Sequence, residues 1–159
     1  MYLTMAKIYL ETSFISYLVA RPSRDLIMAA RQQITLEWWN KERGNHELFA
    51  SEVVLREAQR GDPNEVTKRL AILTNLSLLD VPEAAEILAV LLVKRHALPA
   101  KAAADALHIA VATVHGMDYL LTWNCKHIAN LTMRHAIEKT CYAAGYQPPV
   151  IGTPEEFGV

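Results

Sequence analysis

The chain has 159 residues, 52% of them hydrophobic and 21% charged, with a formal net charge of −1. Such a length suits a single domain spanning residues 1–159, and the composition is globular rather than disordered. No apolar run reaches the roughly 18–20 residues that a bilayer span needs, and the start, MYLTMAKIYLETS, lacks the layout of a secretory signal, so no membrane association and a cytoplasmic location are expected.

The small net charge argues against binding nucleic acid by bulk electrostatics, which draws on Lys and Arg. It does not argue against an enzyme that meets nucleic acid through bound metal, whose carboxylates pull the total charge down. Cys125 and Cys141 form neither a CxxC pair nor a zinc-ligand spacing and read as ordinary thiols.

Strand-like and helix-like segments alternate along the whole chain, the signature of an α/β fold with a largely parallel sheet. A first strand is expected at Ala6–Leu10, short and apolar as a central strand should be. Thr12 or Ser13 can cap the helix after it. Ser23 can cap a longer helix, in which Ile27, Ala30, Ile34 and Trp38 fall on one apolar face. Trp38 and Trp39 read as packing groups rather than base-stacking groups. Gly44–Asn45 marks a turn, Glu47–Ser51 a second strand, and VVLREAQRG a helix closed by Gly61. A helix over about Asn64–Thr74 and a third strand at Leu76–Asp80 follow. Pro82 starts a helix to about Arg95, and Pro99 opens another, KAAADALHIAVATVH, ended by Gly116. Tyr119–Trp123 is the fourth strand. A short helix at Lys126–Asn130, a longer one at Met133–Ala144 and an edge strand near Val150–Ile151 complete the pattern.

Open parallel sheets bind ligands outside the carboxyl ends of their strands. Glu11, Thr12 and Ser13 follow strand one, Glu52 and Glu57 follow strand two, and Asn124 follows strand four. Asp105 lies in AAADALHIAVA, a helix apolar on nearly every face and so expected in the core. A buried carboxylate without a partner is costly. It can pair with an Arg or with helix amides, or coordinate a cation together with other acids. Oxygen ligands without organised Cys or His favour Mg²⁺ or Mn²⁺ over Zn²⁺.

YLETS, SEVVLRE, AADALHIA and DYLLTWN, in this order, resemble the signature segments of the PIN-domain family, most closely the VapC-type toxins of bacterial toxin–antitoxin pairs. The resemblance implies a three-layer α/β/α fold with a central, mostly parallel sheet of four to five strands. It implies a metal-dependent endoribonuclease, with RNA as substrate, a cognate antitoxin as partner and a homodimer as the assembly. Matched position by position, the acidic pocket is Glu11, Glu57, Asp105 and Asn124, with Glu11, Glu57 and Asp105 as metal ligands. Glu57 is preferred to Glu52 on that match. Two positions depart from the family pattern, which usually has Asp at 11 and often Asp at 124. Glu11 carries its carboxylate one methylene further out, and Asn124 removes a charge, so a weaker metal site is expected. Shortening Glu11 to Asp is then expected to keep or raise activity. The alternative is a weak or inactive PIN-like module that binds RNA or protein.

Around these residues, Ser13 and Thr122 are hydroxyls placed to fix the carboxylates or bound water, with helix capping as the other reading of Ser13. His108 shares a helix face with Asp105 and either orients a carboxylate or phosphate or packs as an ordinary hydrogen-bonded residue. Asp118 precedes the fourth strand, roughly 20 Å from the Asn124 end, and reads as a turn residue.

Overall fold

The computed structural model describes residues 5–157. Five strands, β1 (Lys7–Leu10), β2 (Glu47–Ser51), β3 (Ser77–Leu79), β4 (Tyr119–Leu121) and β5 (Val150–Gly152), form one sheet in the order β3-β2-β1-β4-β5. Every pairing is parallel. In β1, Ile8, Tyr9 and Leu10 are completely buried; a central strand covered on both faces has to be apolar at consecutive positions.

Seven α-helices connect the strands among the described residues: α1 (Thr12–Val19), α2 (Leu26–Glu42), α3 (Glu52–Ala58), α4 (Pro63–Leu73), α5 (Glu83–Lys94), α6 (Ala103–Val114) and α7 (Leu131–Ala143). Helices α1 to α4 pack on one another, and α5, α6 and α7 form a second group. The chain winds outward from β1 through β2 to β3, then returns to the other side for β4 and β5. Right-handed crossovers in the two directions put the helices on opposite faces, which yields the expected α/β/α layers. The order reverses between β1 and β4, so the crevice at their carboxyl ends is the switch point where such folds bind ligands. Leu10 pairs with Leu121 there, and the Glu11 N–H continues the ladder to the Leu121 carbonyl at 3.1 Å.

Several local expectations need correction. Glu11, not Thr12 or Ser13, caps α1, its carboxylate accepting the Ser13 N–H. Asp25, not Ser23, caps α2. Helix α2 buries Thr35, Trp38, Trp39 and Glu42, whereas Ile27 and Ala30 are exposed, because only its C-terminal half lies against the body of the fold. Trp38 does pack, edge-on against Phe14 and Phe157. Residues Lys126–Asn130 form turns rather than a helix, since the Asn124 carbonyl takes the N–H groups of Ile128 and Ala129 and its side chain takes that of His127. Gly116 and Gly145 end their helices as expected, at φ 71° and 91°, a region open to glycine at no steric cost. No helix among the described residues is long and apolar enough to cross a membrane.

Candidate functional site

Glu11 leaves the end of β1 into the switch-point crevice and is almost completely buried. A buried carboxylate must be hydrogen-bonded, and Glu11 is, through one oxygen. Its Oε2 accepts from the Ser13 N–H at 2.9 Å, from the Ser13 hydroxyl and from the Thr122 hydroxyl at 2.7 Å. The Ser13 hydroxyl oxygen in turn accepts the Trp123 N–H at 2.8 Å. Ser13 and Thr122 thereby tie the end of β1 to the end of β4. Glu11 Oε1 takes no hydrogen bond among the described residues and lies 4.0 Å from His108 Nε2.

Glu57 comes from the last turn of α3, a helix started by the Ser51 side chain, which accepts the Val53 and Val54 N–H groups. Again one oxygen is held: Glu57 Oε1 meets the Thr12 hydroxyl at 2.5 Å and His108 Nε2 at 2.5 Å. Burial pushes the Glu57 carboxyl up, but the hydrogen bond and charge of His108, with Thr12 and Arg60, outweigh it and hold the group below its ordinary value. His108 is fully buried on α6. Burial disfavours its charged form, yet the bond to Glu57 and the charges of Glu11, Glu57 and Asp105 raise it above its ordinary value. Glu11, Glu57 and His108 each bring a ligand atom within 4.8 Å of the others.

Asp105 stands outside this compact trio. The expectation of a core carboxylate was too strong: Asp105 sits in the first turn of α6, about one-fifth exposed, where the helix N-terminus favours a negative charge. Among the described residues neither an Arg nor helix amides hold it. Its Oδ1 accepts from Asn124 Nδ2 at 3.0 Å, and its Oδ2 meets His127 Nδ1 at 2.9 Å. Asn124 is thus a bracket, donating to Asp105 and accepting the His127 N–H at 3.0 Å. Glu52 is exposed. Asp118 lies at the opposite end of the sheet, its Oδ2 accepting the Lys7 N–H at 2.8 Å.

Sequence reasoning missed Tyr9, Thr12 as a carboxylate donor, and His127. Tyr9 lies two residues before Glu11, so the two share a face of the strand, and its hydroxyl reaches His108 Nδ1 at 2.7 Å. For His127 the available signal was its place three residues after Asn124, at the same sheet rim.

The sequence profile of the PIN domain matches residues 8–125. The chain belongs to the PIN domain family. The match takes in every residue of the site except His127. Among solved structures, this PIN protein resembles VapC20 of Mycobacterium tuberculosis, described as a sarcin-ricin loop cleaving toxin, with a TM-score of 0.59 and 21% identity over 76% of this chain and 92% of that one. It also resembles VapBC2 of Rickettsia felis, solved bound to a DNA fragment from its promoter, with a TM-score of 0.57 and 17% identity over 92% of this chain and 98% of that one. At these identities the likeness is one of fold. No curated protein sequence matches the chain.

The donor chemistry of this PIN site fits a divalent cation. Glu11 and Glu57 each have one oxygen fixed by protein donors and a second, Glu11 Oε1 and Glu57 Oε2, without a hydrogen bond among the described residues. Adjacent carboxylates repel, and a cation relieves that repulsion.

Proposed function

We propose that this PIN domain protein is a divalent-cation-dependent endoribonuclease and the toxin of a toxin–antitoxin pair. The observation that carries the reading is the half-pinned state of Glu11 and Glu57 at the switch point of the sheet. Each carboxylate is held through one oxygen, which leaves the other for a ligand. Glu11, Glu57 and Asp105 would hold the cation, and their oxygen donors suit Mg²⁺ or Mn²⁺. When bound, the cation would supply an acidified water as nucleophile and positive charge against the phosphate.

The chain's own residues have separable tasks. Ser13 and Thr122 fix one oxygen of the buried Glu11 carboxylate by hydrogen bonds and so set its orientation. Thr12 and His108 hold Glu57 ionised and oriented. Asn124 and His127 set the orientation of Asp105. Single-stranded or loop RNA is the substrate class, because its phosphates and bases are reachable. A cognate antitoxin and a homodimer are the partners proposed, in keeping with the toxin folds it resembles. RNA cleavage supported by Mn²⁺ or Mg²⁺ and abolished by EDTA tests the reading. A protein that binds RNA or a partner protein but never cuts would favour the alternative of an inactive PIN-like module, for which the replacement of an acid by Asn124 speaks.

A further inference from the structure

Behind the two glutamates, and away from solvent, runs a chain of polar side chains that the cation-holding role does not itself require. Ser51 Oγ lies 2.8 Å from the Tyr9 hydroxyl, the Tyr9 hydroxyl 2.7 Å from His108 Nδ1, and His108 Nε2 2.5 Å from Glu57 Oε1. Tyr9, Ser51 and His108 are all completely buried. A Phe at position 9 would fill the same apolar space without a hydroxyl that needs partners.

Counting donors and acceptors gives this chain a direction. A serine hydroxyl has one hydrogen and two lone pairs. Ser51 Oγ already accepts the Val53 and Val54 N–H groups, at 3.2 and 3.3 Å, as the cap of α3. Its hydrogen is what remains for Tyr9. Tyr9 then accepts from Ser51 and has its own hydrogen to give, and the partner in reach is His108 Nδ1. A neutral imidazole that accepts at Nδ1 carries its hydrogen on Nε2, which faces Glu57.

We propose that Tyr9, backed by Ser51, is a positioning residue that locks neutral His108 in the Nε2–H tautomer and aims that N–H at Glu57 Oε1, so that Glu57 presents its other oxygen to the cation. The inference rests on the metal-centre reading above, but its first consequence does not depend on a cation. The cap of α3, the helix that carries Glu57, and the orientation of the Glu57 side chain are thereby set by one hydrogen-bonded unit. Partners that orient the side chains around a metal in this way typically change affinity by about 10–100-fold when removed.

The test uses the full chain with ¹⁵N-labelled histidine, free of metal, at an alkaline pH where the imidazoles are neutral. The ring nitrogen shifts of His108 should report hydrogen on Nε2, and Tyr9→Phe should move the ring toward the Nδ1–H form. A wild-type ring with its hydrogen on Nδ1 overturns the proposal whether or not any variant folds. Calorimetric Mn²⁺ titration should then show about tenfold weaker binding in Tyr9→Phe, and no further weakening by Tyr9→Phe in a Glu57→Gln background. Unchanged affinity in Tyr9→Phe, or the same loss in both backgrounds, overturns the positioning role. Failure of the wild type to bind Mn²⁺ at all would instead sink the metal-centre reading, leaving the ring spectra to decide the tautomer lock.

Discussion

Replacing Asp105 with Asn separates a cation ligand from a structural acid. The carboxylate accepts from Asn124 Nδ2 at 3.0 Å and meets His127 Nδ1 at 2.9 Å. An amide keeps an oxygen toward Asn124 but turns an NH₂ toward His127, whose Nδ1 must then accept. Both bonds to the carboxylate are charge-assisted, and each, worth about 1.5–3 kcal/mol, becomes a neutral one worth about 0.5–1.5. The net loss is about 2 kcal/mol, roughly 1 for each bond, an upper bound given that Asp105 is partly exposed, and relief of repulsion from Glu11 and Glu57 offsets part of it. For a chain of this size that lowers the metal-free melting temperature by no more than about 4–8 °C. Mn²⁺ at 100 times its dissociation constant should stabilise wild type by about 2.7 kcal/mol, or roughly 5–10 °C, and the variant far less. Cleavage of single-stranded RNA should fall by about a hundredfold or more. Cutting at the wild-type rate, or metal-free melting more than about 10 °C lower, would remove Asp105 from the cation site.

Three further outcomes are expected. Glu11→Asp should lower cation affinity and cleavage, measured across a Mn²⁺ titration; this reverses what the sequence suggested, because shortening the side chain withdraws Oε2 from Ser13 and Thr122, and undiminished activity would show that those bonds are dispensable. Asp118→Ala should cut RNA near the wild-type rate while Glu57→Ala abolishes cutting, since Asp118 only accepts the Lys7 N–H at the far end of the sheet; equal losses in a cleavage assay would contradict the site. The His108–Glu57 pair makes metal-free stability depend on pH. His108 is raised from 6.5, so its contribution is complete below that value and fades as pH climbs through its folded value, whereas Glu57 is lowered from 4.5, so its contribution is complete above that value and fades as pH drops through its folded value. Urea melts should therefore show the pair's full contribution between pH 4.5 and 6.5, and a His108→Leu variant should lose that dependence.

Local pattern was enough to place the sheet, its parallel sense and the acids near its rim. Buried strands such as β1 must be continuously apolar, and Glu11, Glu57 and Asn124 follow strand ends or the helix after them, so local pattern and sequence order were enough to place them. Asp105 was found by the same logic, as a charge in an alanine-rich helix, though the first turn of α6 leaves it less buried than that logic required. Pairing was what the sequence could not supply. That Thr122 meets the same Glu11 oxygen as Ser13, and that Tyr9, Ser51, His108 and Glu57 form one hydrogen-bonded chain, depend on contacts between residues 42 to 111 positions apart, and the bond from Asn124 to Asp105 spans 19 positions. His127 escaped notice for the same reason, since its partner lies on another element. Hydrogen bonds act over about 3 Å, and only the packing of the two helical layers against the sheet brings these groups within that distance.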